Sequence, residues 1–328
     1  MTTATALAHP TIAFIKYWGN IDHTLRVPTN GSFSMNLDGL ETRTMVTFDS
    51  ALSDDQLNLN GKDEIGAGLT RVSTMLQRVR DMSDLNAFAR VVSTNNFPTG
   101  TGIASSASSM AALALAASAA AGIKLTEPEL SRLARTGSGS ASRSIPGGFV
   151  EWAEGGNHID SYAFTLAPAN HWDLVDIVAV VSDVHKSTGS TSGHALADTS
   201  PLQAARVADA PRRVDICRAA ILNRDFDTFA DIVELDNNMM HSVMMTSNPR
   251  LVYWLPPTLS IIHAVEQWRA EGIPVCYTID AGPNVHVLCL SSAADEVKSR
   301  LERFPGILDL RVATPGGPAR LVSERDNP

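Results

Sequence analysis

The sequence predicts an α+β protein in two domains, and three observations predict it. Stretches of β-branched, period-two character mix with amphipathic stretches, without the strict strand–helix alternation of a parallel α/β fold. With 328 residues, the chain has room for about two domains of typical size. Apolar residues make up 44% and charged residues 19%, the balance of a globular chain rather than a disordered one.

The elements follow in order. Ile12 to Tyr17 is an apolar run closed by Gly19-Asn20 and Asp22-His23. Ser32 to Leu37 alternates with period two, and Thr42 to Phe48 is β-branched; both read as strands. Gly66 to Arg80 carries Leu69, Val72, Leu76 and Val79 on one helical stripe. Phe88 to Ser93 reads as a strand, Pro98 to Gly102 as a Gly-rich turn, and an Ala-rich helix follows. Pro128 to Arg135 predicts a helix with Pro in its first turn, and Gly137 to Gly148 a Gly/Ser loop. Val175 to Val181 is continuously apolar, as in a buried strand. Thr199 to Leu222, Phe226 to Met245 and Leu259 to Glu271 predict helices. Val275 to Ile279 and Val285 to Leu290 predict strands around a Gly-Pro-Asn turn; the helix Ala293 to Phe304 and the strand Leu308 to Ala313 close the chain. The expected domains are 1–178 and 179–328.

The formal charge of −9 disfavours a non-specific nucleic-acid binder but leaves room for a locally positive pocket. Cys217, Cys276 and Cys289 are too few and too scattered for a disulfide framework or a zinc ribbon, which suggests a reducing, cytoplasmic setting. Met1 to Pro10 shows no basic region and no long apolar core, so no signal peptide is expected. Ile103 to Ile123 is mostly Ala and Ser, which fits a close-packed helix better than a membrane span.

Four segments carry chemistry. Pro98-Thr99-Gly100-Thr101-Gly102 opens through Ile103 and Ala104 into Ser105-Ser106 and the Ala-rich helix. Glycines let the backbone approach an anion, and a helix start offers free N–H groups. No Gly-Lys-Ser/Thr follows, so this is not a Walker loop; the bland alternative is a turn into a tightly packed helix. Gly137-Ser138-Gly139-Ser140-Ala141-Ser142-Arg143-Ser144 sets one guanidinium on a floor of small residues, suited to a carboxylate or phosphate, or else forms a solvated loop. Asp280 ends a β-branched strand before Ala281-Gly282-Pro283-Asn284, either as a cleft base or as a turn cap. Lys16 lies within an apolar run, where burial demands an anionic partner unless the side chain snorkels.

Together, and in this order, the segments resemble the mevalonate diphosphate decarboxylase family, within the kinase superfamily that also holds galactokinase, homoserine kinase and mevalonate kinase. The matching stretches are Ile15-Lys16-Tyr17-Trp18-Gly19, Asn96 to Ser106, Gly137 to Trp152, Met240-His241 and Tyr277 to Asn284. The resemblance implies a two-domain GHMP-kinase-like fold: an N-terminal domain like the second domain of ribosomal protein S5, and a ferredoxin-like C-terminal domain. It implies an ATP- and magnesium-dependent decarboxylase of the mevalonate pathway to isoprenoids, with a nucleotide cleft between the domains. It also implies roles. Asp280 orients or deprotonates the tertiary hydroxyl, Lys16 keeps Asp280 ionised, and Arg143 grips the substrate carboxylate. Tyr17, Ser138 and Ser140 contact phosphate or carboxylate oxygens. Pro98, Gly100, Thr101, Gly102, Ser105 and Ser106 hold the ATP phosphates. No metal ligands are assigned. Relatives are often homodimers, and no stripe in this sequence marks an interface.

Departures from the family pattern sharpen the expectation. Trp18-Gly19 is followed by Asn20 where the family has Lys, and Ser190-Thr191-Ser192-Gly193-His194 places Thr191 where it has Arg. Both cations would face the substrate's diphosphate, and each charge-assisted contact is worth roughly 1.5–3 kcal/mol. His185, Lys186 and His194 are nearby cations that could compensate. The phosphate loop also departs, with Gly100-Thr101 in place of Ala-Ala. The expected substrate is therefore mevalonate 5-phosphate, giving isopentenyl phosphate, as in the phosphomevalonate decarboxylase branch. The alternative is mevalonate 5-diphosphate, giving isopentenyl diphosphate. A mevalonate 3-kinase is a further reading, opposed by the presence of both Asp280 and Lys16, and a catalytically dead nucleotide-binding protein is another.

Overall fold

The computed structural model describes residues 1–97, 105–184 and 189–322, without the side chains of Ser105, Ser190 and Thr191. The chain opens with β1 (Thr2–Ala8), β2 (Thr11–Ile15), β3 (Asn20–Asp22), β4 (Val27–Pro28), β5 (Ser32–Asn36), β6 (Thr42–Asp49), β7 (Gln56–Leu59) and β8 (Lys62–Glu64). Next come α1 (Ala67–Ser83), β9 (Phe88–Asn95), α2 (Ser105–Ala120), α3 (Glu127–Gly137), β10 (Phe149–Trp152), β11 (Ala163–Ala167) and β12 (Leu174–Val180). Then follow α4 (Ser190–Leu196), α5 (Gln203–Asn223), α6 (Phe226–Thr246), α7 (Pro256–Ala270), β13 (Val275–Thr278), β14 (Val285–Leu290), α8 (Ala294–Glu302), β15 (Asp309–Ala313) and β16 (Arg320–Leu321).

Three sheets carry the architecture, in the orders β16-β1-β6-β9-β7-β8, β11-β10-β5-β2 and β13-β14-β12-β15. On the first, α1, α2 and α3 bury a core rich in alanine, including Ala111, Ala112, Ala114, Ala116 and Ala117. Small side chains let α2 lie close to β1 and β6, which explains its composition. Among the described residues, no helix is long and apolar enough to cross a membrane. One face of the third sheet, with Val175, Ile177, Tyr277 and Val287, is covered by Ile261, Val265 and Trp268 of α7 and Val297 and Leu301 of α8. Its other face, with Leu174, Val178, Cys276 and Leu288, shares a core with α5, α6 and the second sheet through Phe14, Phe33, Phe149 and Phe229. That shared core fixes β2 and β13, whose ends carry the chemistry, on one scaffold.

The two-domain α+β class stands, while several boundaries differ from expectation. The Gly/Ser stretch is no solvated loop: Gly139–Ser144 forms a buried 3-10 turn. Ser142 Oγ donates to the Gly139 carbonyl at 2.8 Å, and Ser131 Oγ to the Ser142 carbonyl at 3.1 Å. Hydroxyls thus satisfy the backbone where water is excluded. α7 begins at Pro256, earlier than predicted, because proline is tolerated in a first turn. β1 alternates Thr and Ala, too weak an apolar signal to read, yet it pairs along its full length with β6. The expected division at 178/179 falls inside β12, all of which lies in the third sheet, and the C-terminal β16 returns to pair with β1.

Candidate active site

Lys16 stands one residue beyond the buried strand β2, and its side chain is 1% exposed. Its peptide is clamped from both sides. The N–H donates to Asp236 Oδ2 of α6 at 2.6 Å, and the carbonyl accepts from Arg206 Nη2 of α5 at 2.6 Å and Asn30 Nδ2 at 3.0 Å. Arg213 Nε holds the other oxygen of Asp236 at 2.7 Å, with both groups fully buried. A buried ionic network spanning two helices therefore sets where the ammonium emerges. Snorkelling is excluded, because the ammonium ends on a carboxylate.

That carboxylate is Asp280. Lys16 Nζ donates to Asp280 Oδ1 at 2.7 Å. The end of β13 is held by α6: Ile279 N–H donates to Asn237 Oδ1 at 2.7 Å, and the Ile279 carbonyl lies 3.1 Å from His241 Nε2. Asp280 remains 25% exposed, so one side of the pair faces open space. Burial pushes its pKa up, but the fields of Lys16, His286 and Arg143 outweigh this and hold it below the ordinary carboxylate value. Burial pulls the Lys16 ammonium down against the opposing pull of Asp280. Asp280 is thus ionised at neutral pH.

Arg143 is 3% exposed. Nη1 donates to Ser32 Oγ at 2.5 Å, and the guanidinium lies 5.7 Å from the Trp152 ring centre. Among the described residues it has no carboxylate partner, and its Nε has no hydrogen bond. Burial lowers its pKa to about 10, which still leaves it charged at neutral pH. A buried cation with free donors is set to receive an anion.

Tyr17 follows Lys16 and turns the other way. Its hydroxyl donates to Asn20 Oδ1, and its ring stacks on His194 at 4.0 Å. His194 Nδ1 accepts the Gly19 N–H at 3.0 Å, which puts the ring proton on Nε2. Burial, then Arg206 and Arg26, pulls the His194 pKa to about 3, so it adds no charge at neutral pH. Gly139 must be glycine: a Cβ there would lie 2.4 Å from Tyr17 Cε1. Ser106 Oγ of α2, Ser138 Oγ and Ser140 Oγ form a chain of hydroxyls at 3.3 and 3.4 Å.

Of the sequence-predicted site residues, Lys16 and Asp280 meet directly, and Arg143 acts on both through its charge. Tyr17 meets Asn20, and Ser106, Ser138 and Ser140 meet one another. Pro98, Gly100, Thr101 and Gly102, the side chains of Ser105 and Thr191, and His185 and Lys186 lie outside the described residues. His194, named as a compensating cation, is neutral. Sequence reasoning missed the clamp of Asn30, Arg206, Arg213 and Asp236. The signal was available, since Arg206 and Arg213 are seven residues apart and so share a face of a predicted helix.

The chain matches two family models: the diphosphomevalonate decarboxylase-like N-terminal domain over residues 8–163 and the mevalonate 5-diphosphate decarboxylase C-terminal domain over 176–313. It is 38% identical to the diphosphomevalonate decarboxylase of Candida albicans over 93% of this chain and 89% of that one. To the human diphosphomevalonate decarboxylase it is 37% identical, over 90% of this chain and 79% of that one. The structure of MDDEF in complex with MVAPP, AMPPCP and magnesium superposes with a TM-score of 0.92 at 37% identity, over 98% of this chain and 99% of that one. These relatives lend no support to the expected kinship with the phosphomevalonate decarboxylase branch. On the match of both halves, the fold and the identity to these enzymes, the chain belongs to the diphosphomevalonate decarboxylase family.

Proposed function

We propose that the chain uses ATP to phosphorylate the 3-hydroxyl of mevalonate 5-diphosphate and then releases phosphate and carbon dioxide, giving isopentenyl diphosphate. The observation that carries this reading is the 2.7 Å Lys16–Asp280 pair, open on its Asp280 side and flanked by the charge of Arg143. The named relatives support the diphosphate as substrate.

The chemistry follows from these groups. Asp280 Oδ2, free of Lys16, accepts a hydrogen bond from the tertiary hydroxyl and takes its proton as oxygen attacks the γ-phosphorus of ATP. Lys16 keeps Asp280 ionised and offsets charge on the transferring phosphoryl group. The bond from the γ-phosphorus to ADP breaks as the new P–O bond forms. Phosphate, a better leaving group than hydroxide, then departs with the C3–O electron pair. The C–C bond to the carboxylate supplies the electrons of the new double bond, and carbon dioxide leaves. Arg143 holds the carboxylate in line for this departure.

ATP phosphates fit the start of α2, beside the hydroxyl of Ser106. Magnesium prefers phosphate and water oxygens with few protein ligands, and the exposed Ser106 hydroxyl suits such a partly solvated ion. When bound, it neutralises charge on the β- and γ-phosphates. We place the division between domains just before Leu174, with the C-terminal β16 belonging to the first.

One observation favours a second reading, mevalonate 5-phosphate as substrate. Where the tail would lie, Asn20 is an amide already engaged by Tyr17, so it adds no positive charge. Steady-state kinetics on both substrates, with product mass, tests the proposal. A higher kcat/KM for mevalonate 5-diphosphate is the expected result; a preference for the monophosphate would move the assignment to the second reading.

A further inference from the structure

A phosphorylated tail needs positive charge, and Asn20 does not supply it. Arg26 stands close by, on the turn between β3 and β4, on left-handed backbone with φ 51°. Its Nη1 donates to the Thr136 carbonyl at the end of α3. Ser138, the first hydroxyl of the substrate loop, lies two residues further on. Tyr17 packs between these parts, its hydroxyl on Asn20 and its ring against Gly139. The guanidinium of Arg26 therefore sits at the corner where Tyr17, Asn20 and Ser138 come together.

The bond to Thr136 by itself is an ordinary cation at a helix C-terminus. The surroundings of Arg26 ask for more. Among the described residues it makes no salt bridge, and neither do Arg71 and Arg78 of α1. Burial, followed by the like charges of Arg71 and Arg78, depresses the pKa of Arg26. With no ion pair to offset that like charge, a polyanion bound at Arg26 would be favoured. The capping bond uses one N–H of Arg26 and leaves the rest of its fork available.

We propose that Arg26 is a specificity-determining residue whose guanidinium binds the outermost phosphate of the substrate's tail beside Tyr17, Asn20 and Ser138. The assignment rests on the reading above that the substrate is a 5-phosphorylated mevalonate. It adds the residue that neutralises the tail where position 20 is an amide.

The test is Arg26→Gln, assayed for KM and kcat with each phosphorylated mevalonate, for the KM of ATP, and for competitive inhibition by inorganic pyrophosphate and inorganic phosphate. The KM for the substrate that wild type uses should rise at least tenfold, with kcat falling less than KM rises and the KM of ATP within twofold. Inhibition by pyrophosphate or phosphate should weaken in parallel, a change that mere loosening of the α3 end would not single out. Arg26→Lys keeps the charge and the reach to Thr136 but not the fork, and should show a three- to tenfold rise. It serves as the test if Arg26→Gln does not fold. Unchanged KM and inhibition in a folded variant overturn the assignment while leaving the decarboxylase reading intact. A wild type that turns over neither substrate overturns both.

Discussion

Replacing Asp280 by Asn probes the centre of the mechanism, because the side chain keeps its shape and loses its charge. Two costs can be worked from the geometry. The catalytic cost is that of a general base, a factor of about 10²–10⁴ in rate, or roughly 3–5.5 kcal/mol of transition-state stabilisation. The structural cost is smaller than for a sealed ion pair. Stripping one partner from a fully buried pair costs about 3–5 kcal/mol, but Asp280 is 25% exposed, so about 1–3 kcal/mol is expected after allowing for solvent. Lys16 also relieves part of that cost by shedding its proton, since Asp280 is the leading influence that raises its pKa against burial. The variant should therefore fold and bind ATP. A coupled assay of ADP release, with carbon dioxide followed in parallel, should show kcat down at least a hundredfold and the KM of ATP changed by less than threefold. A folded Asp280→Asn protein with kcat within tenfold of wild type would refute the assigned role.

Other predictions follow from the same geometry. The alkaline limb of kcat/KM should lie below 10.5, because burial lowers the Lys16 pKa and activity is lost as pH rises through it; a limb at or above 10.5 in a pH–rate profile speaks against a buried ammonium. His194 stays neutral in the fold down to about 3 but takes a proton near 6.5 when unfolded, so stability should fall as pH drops from 6.5 toward 3. His194→Phe should flatten that slope in thermal melts, at a cost of about 1–3 kcal/mol for the orphaned Gly19 N–H. Gly139→Ala sets a Cβ 2.4 Å from Tyr17 Cε1, which must displace the ring; the KM for the phosphorylated substrate should rise at least tenfold while the KM of ATP changes little.

Much of this site is legible in the chain because it is carried at the ends of predictable elements. Lys16 follows an apolar run, and Asp280 follows a β-branched one. Each by itself reads equally well as an ordinary residue, and only packing in the shared core brings them within 2.7 Å. The Gly/Ser stretch misleads in the opposite direction. Its composition reads as a solvated loop, yet hydroxyl bonds to the backbone let it fold as a buried turn around Arg143. The clamp on Lys16 is the least visible part. Arg206, Arg213 and Asp236 look like surface charges of amphipathic helices, and their burial follows from two helices meeting the Lys16 peptide. The domain division is hard to read for a related reason: β12 is a continuous apolar strand, and no composition shift marks which sheet it joins.

Coupling of phosphoryl transfer to loss of the carboxylate is read from product stoichiometry with mevalonate 5-diphosphate labelled in its carboxyl carbon, incubated with ATP, magnesium and the full chain. One ADP, one phosphate and one labelled carbon dioxide are expected per isopentenyl diphosphate. ADP formed with the label retained in a phosphorylated product would contradict that coupling, because the site would then transfer phosphate without releasing the carboxylate.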